Sequence, residues 1–177
     1  MKIIAKREAI LSPLQAVIGV VERRQTMPIL ANVLLSAKGG RLAVTATDLE
    51  VELVATSEVD VQRNGEVTVP GRKLLDICRA LPEGAEITLT LDGERMSVRA
   101  RKSRFTLSTL PATEFPTVEE INAEQTLQLA QKDFKRLLDK THFSMAQQDV
   151  RYYLNRLLLE TSAKLLRAVA TDGHRLA

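Results

Sequence analysis

The sequence predicts an α+β fold with antiparallel sheets, and two observations support this prediction. The predicted order of elements is a helix, many strands, a short helix and more strands, which differs from the strand–helix alternation of a doubly wound fold. The segment ITLTL–DGE–RMSVRA also places an Asp-Gly turn between two strand-like runs, a pattern typical of an antiparallel hairpin.

The individual elements follow from apolar spacing. Apolar residues at helical intervals between Ile10 and Ile18 predict a helix over about 7–20, and Pro13 inside it predicts a late start or a kink. A second helix is expected at 71–81, closed by the turn Pro-Glu-Gly. Strands are expected at 2–6, 30–37, 41–47, 50–61, 66–70 and 103–109, with a further helix at about 131–141.

An internal repeat sets the domain organisation. Ala46-Thr47-Asp48 matches Ala170-Thr171-Asp172, an offset of 124 residues. The same offset lays NVLL at 32–35 over RLLL at 156–159, and KIIAKREAILSPL over TLQLAQKDFKRLL. One ungapped offset that holds at three separated places indicates a duplicated domain, since it is too long for a solenoid period.

The boundary between the copies is expected in the polar, acidic stretch 116–125. We therefore predict one complete domain, residues 1–121, and the opening of a second, residues 122–177, in a shortened chain. Such a chain would leave strand edges and apolar faces uncovered.

The composition excludes several protein classes. Hydrophobic residues make up 45% of the chain, which is enough for a buried core. The single cysteine, Cys78, excludes a disulfide framework and a zinc ribbon, and its apolar neighbours predict a buried thiol. Charges within MKIIAKREAI argue against a signal peptide, and no uncharged apolar run approaches the roughly 20 residues of a membrane span. A reducing, cytoplasmic setting without a membrane partner is expected.

Signatures of catalysis are scarce. The best candidate is Asp48, Glu50 and Glu52, which would alternate along a strand, share one face and hold Mg²⁺. The alternative is a solvated outer strand face, and the second copy has Asp172, His174 and Leu176 at these positions.

Basic residues are organised better. The net charge is +3 with a pI of about 9.2. In two of the predicted helices, basic residues outnumber acidic ones. These basic residues are Arg72, Lys73 and Arg79 in one helix and Lys132, Lys135, Arg136 and Lys140 in the other. Helices that share one side of the molecule would attract phosphates without reading sequence. The alternative is that these are ordinary solvated helix faces.

The repeat adds a second indication of backbone contact with a duplex. Arg23 and Arg24 follow the first helix, and the offset places Gln147 and Gln148 at the equivalent point. Nearby, Arg151 precedes two tyrosines, Tyr152 and Tyr153, which would pack either on sugar and bases or in the core.

Several segments resemble a known family at family-like spacing. TMPILANVLL, TATDLEVEL, VPGRKLLDICRALPEGAEI, SRFTLSTLPATEFP, FSMAQQDVRYYLN and VATDGHRLA are similar to segments of bacterial DNA polymerase III beta subunits, the sliding clamps. The resemblance implies DNA-clamp domains with helices facing the DNA hole and antiparallel sheets outside. It also implies three such domains in each protomer and a homodimeric ring.

The resemblance assigns roles to individual positions. The DNA-contacting residues would be Arg24, Arg72, Gln148, Tyr152 and Tyr153. The groove for partner peptides would begin with Leu154, Thr171, Gly173, His174, Arg175 and Leu176, its other wall lying beyond Ala177. The subunit interface would use Lys73, Ile77, Arg104, Phe105 and Leu107, the last two being exposed on a terminal strand.

The implied function is topological and needs no cofactor. A ring would bind double-stranded DNA independently of sequence and tether the replicative DNA polymerase through a short peptide. Other proteins with clamp-binding peptides and an ATP-dependent clamp loader would be further partners. Two rival hypotheses are a metal-dependent nuclease that uses Asp48, Glu50 and Glu52 and a sequence-reading transcription regulator, although no helix-turn-helix pattern is apparent.

Overall fold

The computed structural model describes residues 1–21, 27–116, 126–162 and 165–177. The chain divides into two units, Met1–Glu120 and Ile121–Ala177. The first unit contains, in order, β1 Lys2–Lys6, α1 Arg7–Val17, β2 Asn32–Lys38, β3 Arg41–Thr47, β4 Glu52–Glu58, β5 Asp60–Arg63, β6 Gly65–Pro70, α2 Gly71–Ala80, β7 Glu86–Asp92, β8 Arg95–Ala100 and β9 Ser103–Ser108.

Two antiparallel sheets build the first unit. One has the strand order β4-β3-β2-β6 and the other β5-β1-β7-β8-β9. Because side chains alternate across a strand, Ile3, Leu89 and Val98 lie opposite one another on the inner face of the second sheet and are fully buried. Buried side chains from both sheets and both helices form one continuous cluster. The predicted α+β class with antiparallel sheets is confirmed.

Helix α1 begins at Arg7 in spite of the proline inside it. Ile10, Leu14 and Val17 recur at helical spacing and are buried, so packing holds the helix. Pro13 has no N–H to donate to the Ala9 carbonyl four residues earlier. The Ser57 hydroxyl from β4 donates to that carbonyl instead, at 2.5 Å. The helix begins at residue 7, as its apolar spacing predicts, so the late start considered for Pro13 is wrong; its last predicted turn is a 3-10 turn.

Helix α2 packs closely on the first sheet through Gly71. A Cβ at this position would lie 2.8 Å from Val33 Cγ1, which is a steric clash. Glycine has no Cβ and therefore fits here. Leu74 and Cys78 lie one turn apart and are fully buried, as predicted for the cysteine. Burial raises the pKa of the Cys78 thiol to about 11, because a thiolate is poorly solvated in the core. Helix α2 thus serves the core with one face and leaves Lys73 and Arg79 exposed.

The expected strand 50–61 is wrong at its start and its middle. The chain turns at 48–51, and the ladder resumes only at Glu52. It breaks again at Val59, whose N–H donates to the Gly40 carbonyl at 3.0 Å before β5 begins. Polar and apolar residues alternate through both breaks as they do in a strand. The sequence pattern therefore did not reveal where the strand is interrupted.

The second unit contains α3 Gln131–Asp139 and a hairpin of β10 Leu158–Ser162 and β11 Leu165–Val169. The predicted helix at about 131–141 is confirmed, two residues shorter. No residue of α3 is buried, and its basic side chains are all exposed. In the described parts of the chain, no helix is long and apolar enough to cross a membrane.

Candidate functional site

A tight turn near the end of the second unit presents most of the residues predicted for the peptide groove. The Thr171 hydroxyl accepts the Gly173 N–H at 3.0 Å and donates to the Arg175 carbonyl at 2.7 Å. The Asp172 carboxylate accepts the N–H groups of His174 and Arg175 at 2.9 and 3.0 Å. These hydrogen bonds lower the pKa of the Asp172 carboxyl, because they favour its ionised form. They also hold the turn with the side chains after Asp172 exposed.

The first unit contains the same turn at the position given by the repeat. The Thr47 hydroxyl accepts the Leu49 N–H at 3.0 Å, and Asp48 Oδ1 accepts those of Glu50 and Val51 at 3.0 and 2.7 Å. A hydroxyl followed by a carboxylate can cap three successive N–H groups, so the shared Thr-Asp pair is sufficient to build this turn twice.

Arg151 lies against this turn in the second unit. A Cβ on Gly173 would be 3.6 Å from the Arg151 guanidinium nitrogens, in ordinary contact. Asp149 fixes the arginine: its carboxylate accepts the Arg151 backbone N–H at 2.8 Å, Nε at 3.0 Å and Nη2 at 2.9 Å. The paired guanidinium lowers the pKa of the Asp149 carboxyl to about 2. A charge-assisted, bidentate pair of this kind orients a guanidinium well.

These side chains surround a depression of about 640 Å³. Two of the predicted groove residues, His174 and Arg175, line it together with Gln148, Asp149 and Arg151. The remaining predicted groove residues lie outside its lining: Leu154, Thr171, Gly173 and Leu176. Gln148, predicted to contact DNA, therefore shares a depression with the residues predicted to bind peptide.

The backbone of Leu154 makes two hydrogen bonds within the loop that carries Arg151. Its N–H donates to the Arg151 carbonyl at 2.8 Å and its carbonyl accepts the Ala146 N–H at 3.0 Å, which closes the loop that carries Arg151. Sequence reasoning missed Asp149 and Phe143, whose ring lies 5.7 Å from the Arg175 guanidinium carbon. The Asp-x-Arg spacing that ends at Arg151 was a detectable signal for the first of these, since short polar side chains commonly bond two residues onward.

The two tyrosines are on the surface. Tyr152 and Tyr153 are 70% and 62% exposed, so neither ring packs in a core formed by the described residues. Their rings meet edge to face at 6.2 Å, and the Arg156 guanidinium lies 5.8 Å from the Tyr152 centroid. Gln148 is exposed as well and has a positive φ of 59°, a conformation that non-glycine residues seldom adopt. The second unit thus presents aromatic and amide groups to solvent.

Of the two arginines predicted to contact DNA in the first unit, the structure describes only Arg72. Arg72 is half-buried, and its guanidinium donates to the Val21 carbonyl. Its Nε is buried and has no hydrogen-bond partner among the described residues. Arg24 lies outside the described residues.

Three of the residues predicted for the subunit interface, Arg104, Phe105 and Leu107, lie on strand β9, an edge of the second sheet, and the other two, Lys73 and Ile77, lie on helix α2. Lys73 and Arg104 are exposed, while Ile77 and Phe105 are half-buried and pack against the core. The expectation that Leu107 is exposed is wrong. It is 6% exposed, because it lies opposite Met96 on the inner face of the sheet.

The premise of a carboxylate triple on one strand face is also wrong. Asp48 lies in the turn with its Oδ1 bonded to backbone, Glu50 lies in the same turn, and Glu52 begins β4. Within the described ranges, no group of three or more histidine, cysteine or carboxylate side chains is arranged to hold a metal ion.

Comparison with known families identifies the fold. The family model described as DNA polymerase III beta subunit, N-terminal domain, matches residues 1–119, and the model for the central domain matches residues 128–177. The chain belongs to the DNA polymerase III beta subunit family. Its α+β units have the clamp fold of that family.

Curated relatives of this beta subunit chain carry the name Beta sliding clamp. The protein of Pseudomonas putida is 58% identical over 173 residues, which cover 97% of this chain and 47% of the relative. That of Escherichia coli (strain K12) is 54% identical over 178 residues, covering 100% of this chain and 49% of the relative. The chain spans about half the length of the curated relatives it matches.

Solved structures of beta subunits agree with the same assignment. A sliding clamp from Pseudomonas aeruginosa bound to griselimycin has a TM-score of 0.95 at 55% identity, covering 99% of this chain and 48% of that one. The pol III beta of Caulobacter crescentus has a TM-score of 0.94 at 42% identity, with 99% and 49% coverage.

Proposed function

We propose that the native protein is a sliding clamp that encircles duplex DNA and tethers the replicative DNA polymerase without catalysing a reaction. The observation that carries this proposal is the match of one continuous chain to two successive domains of the beta subunit family. We also propose that residues 1–121 form the first clamp domain and that residues 122–177 belong to the second. Such a protein would act in the cytoplasm.

Contacts to DNA come from groups that bind phosphate and sugar without reading bases. Gln148, Tyr152 and Tyr153 are exposed in one loop region and can donate hydrogen bonds or lie along the backbone. Arg24 and Arg72 supply positive charge from the first domain. A clamp that slides needs many weak contacts of this kind, since a strong base-specific contact would stop it.

Partner peptides bind at the depression lined by His174 and Arg175. Arg151, held by Asp149, adds a fixed positive charge at its side. The polymerase and other proteins with clamp-binding peptides would share this surface. A short tethered peptide raises the local concentration of the polymerase at the DNA without a large interface.

Two protomers close the ring through the β9 edge, where Arg104 and Phe105 are at least partly accessible, together with the exposed Lys73 of α2. Ile77 and Leu107 support this edge from the core side. A closed ring has no free end for DNA to enter, so an ATP-dependent clamp loader would open it.

Replacement of Gln148 tests the DNA contact. In the native protein, Gln148→Ala is expected to weaken binding to duplex DNA about fivefold, the effect of losing one hydrogen bond of about 1 kcal/mol. The loss should be equal for two duplexes of unrelated sequence, measured by fluorescence anisotropy. Val150→Ala, at a 96% exposed position two residues away, is the matched control and should bind normally. A loss confined to one of the two duplexes would contradict the proposal.

A further inference from the structure

The first unit exposes a small apolar surface. Among its described residues, four large apolar side chains are exposed: Met27 at 43%, Leu49 at 53%, Val51 at 46% and Val54 at 57%. Leu49 and Val51 belong to the β3–β4 turn, and Val54 lies near the start of β4. Leu49, Val51 and Val54 are concentrated around one turn, unlike singly scattered apolar side chains, which need no explanation.

The repeat relates this surface to the proposed peptide groove. The offset of 124 places Met27, Leu49 and Val51 on Arg151, Gly173 and Arg175. In the second unit the Arg151 guanidinium lies 3.6 Å from where a Cβ on Gly173 would stand. Since both units build the turn with the same hydrogen bonds, Met27 is expected beside Leu49 in the first unit.

Leu49 has an unfavourable backbone conformation. Its φ is 78°, and that of the equivalent Gly173 is 88°. Glycine adopts this region freely, whereas a leucine is strained there. The Leu49 side chain is more than half exposed, so burial in the core does not offset the strain.

Charge distinguishes the two turns. Asp48 and Asp172 are equivalent, but the first turn has Glu50 and Val51 where the second has His174 and Arg175, and Met27 stands in the place of Arg151. A ligand of the first turn must therefore complement an apolar and acidic surface.

We propose that the β3–β4 turn of the first unit, with Met27, docks a short peptide segment in which basic residues alternate with large apolar ones. The apolar side chains contact Leu49 and Val51, and the basic ones lie near Glu50 and Asp48. The position is taken from the equivalent turn in the second unit, so the inference rests on the proposed peptide groove.

A labelled peptide of alternating lysine and leucine is the probe, with a glutamate–leucine peptide as its counterpart. In the native protein at about 50 mM salt, where screening is moderate, fluorescence polarisation should show saturable binding of the lysine peptide and much weaker binding of the glutamate peptide. Leu49→Gly should weaken lysine-peptide binding about tenfold while leaving Tm unchanged or raised, because glycine relieves the strained φ. His174→Ala should leave this binding unchanged.

Four outcomes would overturn the inference. The lysine peptide could bind the native protein and Leu49→Gly equally, or not at all. Its binding could depend on His174 and not on Leu49, which would place it in the second unit. Leu49→Gly could instead change the sedimentation coefficient, which would show that a second copy of the chain covers the surface. A clamp-binding peptide that remains sensitive to His174→Ala would show that the proposed function survives any of these results.

Discussion

Asp149 determines where the Arg151 guanidinium points, through one backbone and two side-chain hydrogen bonds. The same contacts lower the pKa of the Asp149 carboxyl to about 2, so the pair stays ionised through the physiological range. The folded-state pKa is below the unfolded one. The contribution of the pair to loop stability is therefore complete above pH of about 3.9 and is lost as the pH falls towards the folded-state value.

Titration of Asp149 tests this arrangement. At pH of about 3, below the ordinary carboxyl pKa of about 3.9, the Asp149 side chain is expected to remain ionised, as measured by its carboxyl carbon chemical shift. Arg151→Met keeps the length of the side chain without the charge and should move the midpoint up towards the ordinary value. A native midpoint near 4 would show that the arginine does not hold this carboxylate in solution.

Helix α1 depends on a partner outside the helix. Pro13 removes the hydrogen bond to the Ala9 carbonyl, and the Ser57 hydroxyl from β4 replaces it at 2.5 Å. The helix is also held by the burial of Ile10, Leu14 and Val17. The Ser57 hydroxyl therefore links strand β4 to helix α1 by a hydrogen bond between the two elements.

Ser57→Ala is expected to destabilise the protein by about 1 kcal/mol, because the Ala9 carbonyl loses its partner in a half-buried position. Urea denaturation should show a lower midpoint with an unchanged m-value. Ser36→Ala is the matched control, since its hydroxyl bonds the exposed Glu66 carboxylate and its loss should cost less. Equal effects of the two substitutions would show that the hydrogen bond from Ser57 to the Ala9 carbonyl does not stabilise the protein more than an exposed side-chain hydrogen bond does.

Across the whole molecule, one Thr-Asp turn recurs with different surface chemistry. After the shared aspartate, the first unit has Leu49, Glu50 and Val51, whereas the second has Gly173, His174 and Arg175. Duplication thus conserved the backbone hydrogen bonds, while the side chains that face solvent diverged.

His174→Ala in the native protein is expected to weaken a labelled clamp-binding peptide about tenfold, or 1.4 kcal/mol, because His174 lines the depression and is exposed. Dimerisation, measured by sedimentation velocity, should be unchanged, since the proposed interface residues lie in the first unit. Unchanged peptide affinity would contradict the groove assignment, and dissociation of the dimer would contradict the assignment of the interface.

Much of the fold could be predicted because its determinants are local. The buried face of α1, the hairpin at Asp92 and Gly93, and the burial of Cys78 all follow from spacing along a single element. Parts of the site could not be predicted in this way. The bidentate contact of Arg151 with Asp149 and its approach to Gly173 depend on how a loop folds back, and apolar periodicity carries no such information.

The sequence by itself determined the repeat, the α+β class and the residue types of the two Thr-Asp turns, because these depend on order and short-range spacing. Only the tertiary structure decided that Leu107 is buried and that the chain turns at 48–51. It also showed that Ser57 supplies the partner that Pro13 removes. The physical reason is that strand register and sheet packing choose which face of a strand meets the core and which polar groups meet across elements.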